Sequence, residues 1–143
     1  NPKDLERLYH ACANKGADLA IGSRYKKGVN VVNWPLGRII LSYGASLYVK
    51  LITGMRIQDA TAGFICYKRK VLETINLNDI KFIGYAFQIE MKFKAYLKQF
   101  KIVEIPVIFT DRTKGKSKLS TSIISEAIFG VIAMKFKSLF NTK

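Results

Sequence analysis

Two arginines and a serine are placed where an anion could bind. Arg24 directly follows the short apolar stretch "ADLAIGS", and α/β proteins put ligand sites where strands end. Arg38 and Ser42 lie four residues apart in "NWPLGRIILSYGAS", so a helix presents both on one face. An arginine can hold a phosphate through two parallel hydrogen bonds. The alternative is that Arg38 extends to water or pairs with an acid.

A second basic group occupies the loop "TDRTKGKSKLS". Its cations surround Gly115 and comprise Arg112, Lys114, Lys116 and Lys118. Such a loop suits a diphosphate, because lysine acts as a point charge and arginine as a bidentate donor. Each lysine has the simpler alternative of being a solvated surface charge.

Two carboxylates and an amide are candidates for an active site. Asp59 lies in "QDATAGF", where small neighbours let a carboxylate approach a ligand, although it could instead cap the loop. Gln88 and Glu90 can reach a ligand from the first turn of the helical stretch "YAFQIEM", whereas the alternative for Glu90 is a partner for the helix dipole. His10 is the only histidine, so the sequence offers no Ser-His-Asp or Cys-His set for nucleophilic hydrolysis.

The balance of charge is the least ordinary global property of the chain. Twenty-four lysines and arginines against ten acids give a net charge of +14 in 143 residues. Such a field attracts nucleic acid, anionic lipid headgroups or phosphorylated small molecules. Aromatic side chains near Arg38 can stack bases, sit at a lipid headgroup boundary or simply form core. They are Tyr25, Trp34, Tyr43 and Tyr48.

Helical and strand patterns alternate along the chain, which predicts an α/β fold. The predicted helices cover 2–15, 35–53, 70–75, 84–100 and 121–140. The predicted strands cover 17–23 and 101–109, and a further strand follows a loop within 60–70. Gly54 is the expected C-cap of the long second helix. These strands are too few for a complete doubly wound sheet, so we expect an incomplete sheet with packed helices.

The extent of the chain indicates one domain or less. It starts at Asn1 without an initiator methionine, and we therefore expect residues 1–143 to be one piece of a larger α/β domain. The apolar run from Ala127 to Met134 is far shorter than the roughly 20 residues of a membrane-spanning helix. Cys12 and Cys66 lack metal-type spacing and indicate reduced thiols, with a disulfide left open.

Five motifs occur in the same order and at similar spacings as in a known family. They are "GSRY", "NWPLGRIILSYGAS", "DATAGFICYKRKVLE", "GYAFQIEM" and "EIPVIFTDRTKGKSKLS". Together they cover nearly the whole chain, which resembles the dolichol-phosphate mannose synthases of glycosyltransferase family 2. The resemblance implies a GT-A fold and inverting transfer of mannose from GDP-mannose to the phosphate of dolichol or another polyprenol. It also implies Mg²⁺ or Mn²⁺ and a cytoplasmic location, peripheral at the cytosolic face of an anionic membrane.

The resemblance further implies a role for each candidate residue. The implied roles are acceptor-phosphate binding by Arg24, Arg38 and Ser42, donor-diphosphate binding by Arg112 and Lys118, and active-site contact near the donor sugar by Asp59, Gln88 and Glu90. On this interpretation the apolar helix adjoins a lipid tail. No strong general base is needed, because a phosphate oxygen is already an anion near neutral pH.

In one respect the sequence departs from the family. The Asp-x-Asp motif that holds the metal lies upstream of a segment like "NPKDLERL", so we expect the metal ligands upstream of Asn1 and none in this chain. The chain is then the acceptor-side half of a GT-A catalytic domain and is inactive alone. One alternative is a polyprenyl-phosphate glucosyl or other hexosyl transferase. Another is a basic module for membrane or nucleic acid, although the sequence has no RNA-binding signature and we expect no nucleic-acid partner.

Overall fold

The computed structural model describes residues 1–111 and 121–140, which form a mixed α/β structure. The helices are α1 (Pro2–Ala13), α2 (Leu36–Thr53), α3 (Arg69–Thr74), α4 (Gly84–Leu97) and α5 (Thr121–Phe140), with a 3₁₀ turn at Leu77–Asp79. The strands are β1 (Leu19–Ser23), β2 (Val31–Val32), β3 (Ile65–Tyr67), β4 (Ile102–Pro106) and β5 (Phe109–Thr110). The predicted alternation of helices and strands is confirmed, with helix ends that differ by no more than one turn.

β1 is the central strand of a three-stranded sheet with the order β3-β1-β4. It runs parallel to β4 and antiparallel to β3, where Ala20 pairs with Cys66. All five β1 residues are buried, as expected of a strand covered on both faces. Gly22 allows close packing in this strand, because a Cβ at its position would lie 2.7 Å from the ring of Phe64.

The structure adds a parallel ribbon of β2 and β5 that the sequence patterns do not predict. The expected strand over 101–109 is consequently divided between β4 and β5. Each ribbon strand has two residues, which is too short for an alternating pattern to be recognised. β5 ends directly before Asp111, and the backbone N–H of Asp111 donates to the carbonyl of Val32 at 3.1 Å. The ribbon therefore fixes the position of Asp111.

The side chains of β1 alternate between two parts of the core, one on each face of the sheet. Leu19 and Ile21 pack in the cluster that α4 and α5 cover, which includes Val131. Ala20 packs on the opposite face with Leu8 of α1. The sheet therefore separates α1 from the other long helices.

α2 exposes much of its apolar surface. The helix ends at Gly54, whose φ of 78° confirms the expected C-cap. Its buried residues are Ser46, Val49 and Thr53. The large apolar side chains that remain exposed are Leu36, Ile40, Leu41, Tyr43, Leu47 and Leu51. These side chains leave much of α2 uncovered within 1–111 and 121–140.

α5 packs against both α2 and α4. A Cβ at Gly130 would lie 2.7 Å from the ring of Phe82, so glycine lets the helix approach the segment before α4. Tyr48 of α2 donates its hydroxyl to the carbonyl of Ile128 at 2.8 Å. Among the helices described, none is long and hydrophobic enough to cross a bilayer.

Candidate anion site

A cavity of about 1490 Å³ lies beyond the carboxyl ends of β1 and β4, between α2 and α5. Its wall is mainly apolar, with side chains from both helices. The polar and charged groups on the wall include Arg24, Arg38, Ser42, Thr61 and Asp111. The structure thus brings the three residues predicted to bind an acceptor phosphate to one cavity.

Arg24 and Asp59 form a buried ion pair at this cavity. The Asp59 carboxylate accepts from Arg24 Nε at 2.8 Å, from Nη2 at 2.6 Å and from the Arg24 backbone N–H at 2.9 Å. Nη2 also donates to the hydroxyl of Thr61 at 2.9 Å. Burial disfavours the charged guanidinium, but the hydrogen bonds and charge of Asp59 outweigh burial and raise the pKa of Arg24. Within the described ranges, only Nη1 of this guanidinium makes no hydrogen bond.

The pairing changes the interpretation of both residues. The resemblance implies that Arg24 binds the acceptor phosphate and that Asp59 lies near the donor sugar, and the structure joins the two side chains directly. Asp59 is completely buried, and both of its oxygens accept hydrogen bonds from Arg24. Its side chain therefore orients Arg24.

Arg38 pairs with Asp111, as the alternative from sequence allows. Its Nη1 donates to Asp111 Oδ1 at 2.8 Å, and both side chains are about one quarter exposed. The guanidinium also lies over the ring of Trp34, with Cζ 4.0 Å from the centroid. Arg24 contacts the same ring at 5.4 Å. The indole of Trp34 therefore contacts both arginines.

Ser42 lies one turn beyond Arg38, as predicted, and also lines the cavity. Burial raises the pKa of the nearby Tyr25, and Ser42 opposes this shift in part. The Tyr25 ring makes an edge contact with Tyr43 at 5.3 Å. These aromatic residues pack on one another and on the arginines.

Loop 58–62, which carries Asp59, is held from two directions by charged side chains. Glu104 of β4 accepts the backbone N–H groups of Gln58 at 3.0 Å and of Asp59 at 2.9 Å. Lys92 of α4 donates its Nζ to the carbonyls of Ala60 at 2.8 Å and Ala62 at 2.6 Å. Burial lowers the pKa of Lys92 to about 7, although the charges of Asp59 and Glu104 oppose this shift.

Sequence reasoning missed Lys92. The available signal is its spacing, because it lies three residues after the buried Ile89 and directly before the buried Phe93. A lysine at this position interrupts an apolar stripe. Such an interruption indicates a buried cation with a specific partner when the stripe continues on both sides.

Gln88 and Glu90 lie in the second turn of α4, because the helix starts at Gly84. The carboxylate of Glu90 accepts the backbone N–H groups of Lys81 at 3.0 Å and Phe82 at 3.1 Å, and it is not on the cavity wall. Gln88 lies beside the loop, with its amide 3.7 Å from where a Cβ of Gly63 would stand. Arg112 and Lys118 fall outside the residues that the structure describes.

Potential metal ligands are not gathered within the described part of the chain. No group of three or more His, Cys, Asp or Glu side chains there is arranged to hold an ion. Cys12 and Cys66 are both free thiols, and Cys12 Sγ contacts the carbonyl of Cys66 at 3.5 Å. Burial raises the pKa of Cys12 to about 11, which keeps this thiol protonated.

These features define a mixed α/β protein in which two arginines, as a candidate anion site, line the wall of a mainly apolar cavity. The chain is 47% identical over 130 residues to the polyprenol monophosphomannose synthase of Mycolicibacterium smegmatis, covering 91% of the chain and 49% of that protein. It is 40% identical over 130 residues to the undecaprenyl-phosphate mannosyltransferase of Micrococcus luteus, covering 91% of the chain and 53% of that protein. It is 38% identical over 127 residues to the dolichol-phosphate mannosyltransferase of Pyrococcus furiosus, covering 87% of the chain and 34% of that protein.

The chain is therefore a homologue of the polyprenyl- and dolichyl-phosphate mannosyltransferases, which confirms the resemblance found in the motifs. It spans about half the length of the first two relatives and about a third of the third. No protein-family model matches the chain.

Proposed function

We propose that the chain is the acceptor-binding part of a polyprenyl-phosphate mannosyltransferase and that its α/β structure is a portion of a GT-A domain. In this proposal the enzyme transfers mannose from GDP-mannose to a polyprenyl phosphate with inversion. The relatives support the sugar and the acceptor, because all three names specify mannose and a polyprenol or dolichol. The observation that carries the proposal is that Arg24, Arg38 and Ser42 line one wall of a mainly apolar groove.

The proposed acceptor has a charged phosphate and an apolar polyprenyl chain, and the cavity offers a suitable surface for each. Its phosphate lies against Arg38, which is partly exposed and can exchange or share Asp111, and against the remaining Nη1 of Arg24. Ser42 adds a neutral hydrogen bond. The polyprenyl chain then lies along the apolar side chains of α2 and α5, where burying each CH₂ contributes about 0.8 kcal/mol.

The chemistry asks little of the protein besides position and charge. The attacking phosphate oxygen is already an anion, so these side chains orient it and need not remove a proton. Asp59 has both oxygens occupied by Arg24, and we therefore assign it a positioning role. Among the three predicted catalytic residues, Gln88 remains the candidate for a sugar contact, while Glu90 supports the segment before α4.

The donor side belongs mostly to another part of the protein in this proposal. Arg112 and Lys118 supply cations near the donor diphosphate. A bound Mg²⁺ or Mn²⁺ would supply positive charge to the leaving diphosphate, and in this proposal another part of the protein would hold it, since no group of three or more His, Cys, Asp or Glu side chains among the described residues is arranged to do so. The net charge of +14 attracts the protein to an anionic membrane, at the cytosolic face, where it binds peripherally.

The test uses the complete gene product that contains these 143 residues. It is incubated with polyprenyl phosphate and labelled GDP-mannose or UDP-glucose, with Mg²⁺ or with a chelator, and the lipid phase is counted. Transfer from GDP-mannose that requires the ion supports the proposal. Transfer from UDP-glucose alone assigns a glucosyltransferase instead, and transfer from neither donor contradicts both.

A matched pair of arginine variants connects activity to the site. Arg38→Ala removes the partly exposed arginine of the cavity, whereas Arg69→Ala removes an exposed arginine of α3 that pairs with Glu73. We expect Arg38→Ala to abolish most transfer and Arg69→Ala to retain it. Equal losses would indicate a general dependence on charge, as in a basic membrane-binding module.

A further inference from the structure

Lys92 is a fully buried lysine with no direct carboxylate partner among the described residues. It is 0% exposed, and its two hydrogen bonds go to the backbone carbonyls of Ala60 and Ala62. A buried ammonium is costly, and an apolar side chain of similar length would fill the same space without that cost. Packing alone therefore does not account for a lysine at this position.

The two carbonyls belong to the loop that orients Arg24. Glu104 holds the N–H groups at the start of this loop, and Lys92 holds carbonyls one and three residues after Asp59. Within loop 58–62, Asp59 is the charged side chain that pairs with Arg24. The conformation of the loop thus decides where the Arg24 guanidinium stands at the cavity wall.

We propose that Lys92 is a positioning residue of the anion site, which acts by fixing loop 58–62 so that Asp59 holds the Arg24 guanidinium at the cavity. The phosphate-lipid part of this inference rests on the proposed function, whereas the effect on Arg24 does not. Lys92 itself does not line the cavity.

The first measurement therefore needs no ligand. Phenylglyoxal modifies accessible arginines, and mass spectrometry gives the rate at Arg24, which is 9% exposed in the wild type. Lys92→Met keeps the length of the side chain and removes the donor. We expect Arg24 to react about tenfold faster in this variant, as for the loss of one charged hydrogen-bonding group. Lys98→Met, the same change at an exposed lysine after α4, leaves the rate unchanged.

The second measurement is binding of farnesyl phosphate by the complete gene product. We expect Lys92→Met to weaken binding about tenfold, and the KM for GDP-mannose to stay near that of the wild type. Arg24→Lys is then combined with Lys92→Met. If Lys92 acts through Arg24, adding Lys92→Met weakens farnesyl phosphate binding little further in the Arg24→Lys variant. The same addition keeps its full effect on binding in the Arg38→Lys variant.

Every outcome bears on the proposal. Unchanged labelling of Arg24, or an equal loss in both arginine backgrounds, overturns the role of Lys92. Faster labelling in a protein that does not bind farnesyl phosphate retains that role and rejects the proposed function. Lys92→Gln keeps an N–H donor, so its Arg24 labelling rate and its affinity for farnesyl phosphate should lie between those of the wild type and of Lys92→Met. It replaces Lys92→Met if that variant does not fold.

Discussion

Asp59 offsets the cost of burying the Arg24 guanidinium. A buried guanidinium without its carboxylate keeps the desolvation cost and loses the attraction that offsets it. Asp59→Asn is expected to lower the free energy of unfolding by about 3–5 kcal/mol, the range for breaking a buried pair. Urea unfolding measures this change, and Asp79→Asn at an exposed position serves as the control. A stability equal to the wild type would contradict the buried pairing.

Lys92 should make stability depend on pH in a defined window. Its pKa is about 7 in the folded protein and 10.5 when unperturbed, so between these values the unfolded state binds more protons. The free energy of unfolding therefore rises as the pH increases from about 7 towards 10. Above pH 9 the buried thiol of Cys12 acts in the opposite direction, because its pKa is raised from 9.0 to about 11.

The contribution of Lys92 is isolated by comparison with Lys92→Met. Urea unfolding of both proteins at several pH values gives the difference between their free energies of unfolding. The contributions of the other titrating groups are the same in both proteins and cancel in this difference. The free energy of unfolding of the wild type should rise relative to that of Lys92→Met as the pH increases from about 7 towards 10. A difference that does not vary with pH would contradict the lowered pKa.

Arg38 and Ser42 should contribute unequally to binding a phosphate. Arg38 offers a charged hydrogen bond, worth about 1.5–3 kcal/mol, whereas a neutral hydrogen bond from Ser42 contributes about 0.5–1.5 kcal/mol. Arg38→Ala should therefore weaken the affinity for farnesyl phosphate more than Ser42→Ala does. Isothermal titration of the two variants distinguishes them, and equal losses would reject this division of roles.

Among the elements, α5 can approach Phe82 closely because residue 130 is a glycine. Gly130→Ala places a methyl group against this ring and should lower the free energy of unfolding by about 1–3 kcal/mol, as overpacking does. Gly37→Ala in α2 is the matched control, since its Cβ meets nothing within 4 Å. Adding Phe82→Leu to Gly130→Ala should recover part of the loss in thermal unfolding. If Phe82→Leu recovers none of the lost stability, the strain in Gly130→Ala does not come from the contact with Phe82.

The elements themselves were largely predictable, and the contacts between loops were not. Periodicity and the glycine at position 54 located α2 and its end, because both signals lie within the helix. The pairing of Arg24 with Asp59 joins loops 35 residues apart, and it depends on how β1, β3 and β4 align. Lys92 escaped prediction because its partners are backbone carbonyls, which carry no residue type.

For the whole molecule, the net charge and the groove predict two separable kinds of binding. Attraction of a +14 chain to anionic vesicles is long-ranged and should fall steeply between 50 mM and 500 mM salt. The preference for vesicles containing polyprenyl phosphate over vesicles of equal charge should persist, since the groove contributes apolar contact. Vesicle sedimentation measures both, and a preference that disappears with salt would indicate binding by charge alone.

The arrangement around loop 58–62 also restricts how this sequence can evolve. Arg24, Asp59, Lys92 and Glu104 come from four separate segments, yet their hydrogen bonds all involve the same short loop. A substitution at any one of them leaves a charge or a backbone group without its partner, so we expect selection against single changes even where the ligand is unaffected. Related sequences should therefore replace the members of this set together, and a lineage that lost Lys92 should carry a compensating donor near Ala60 and Ala62.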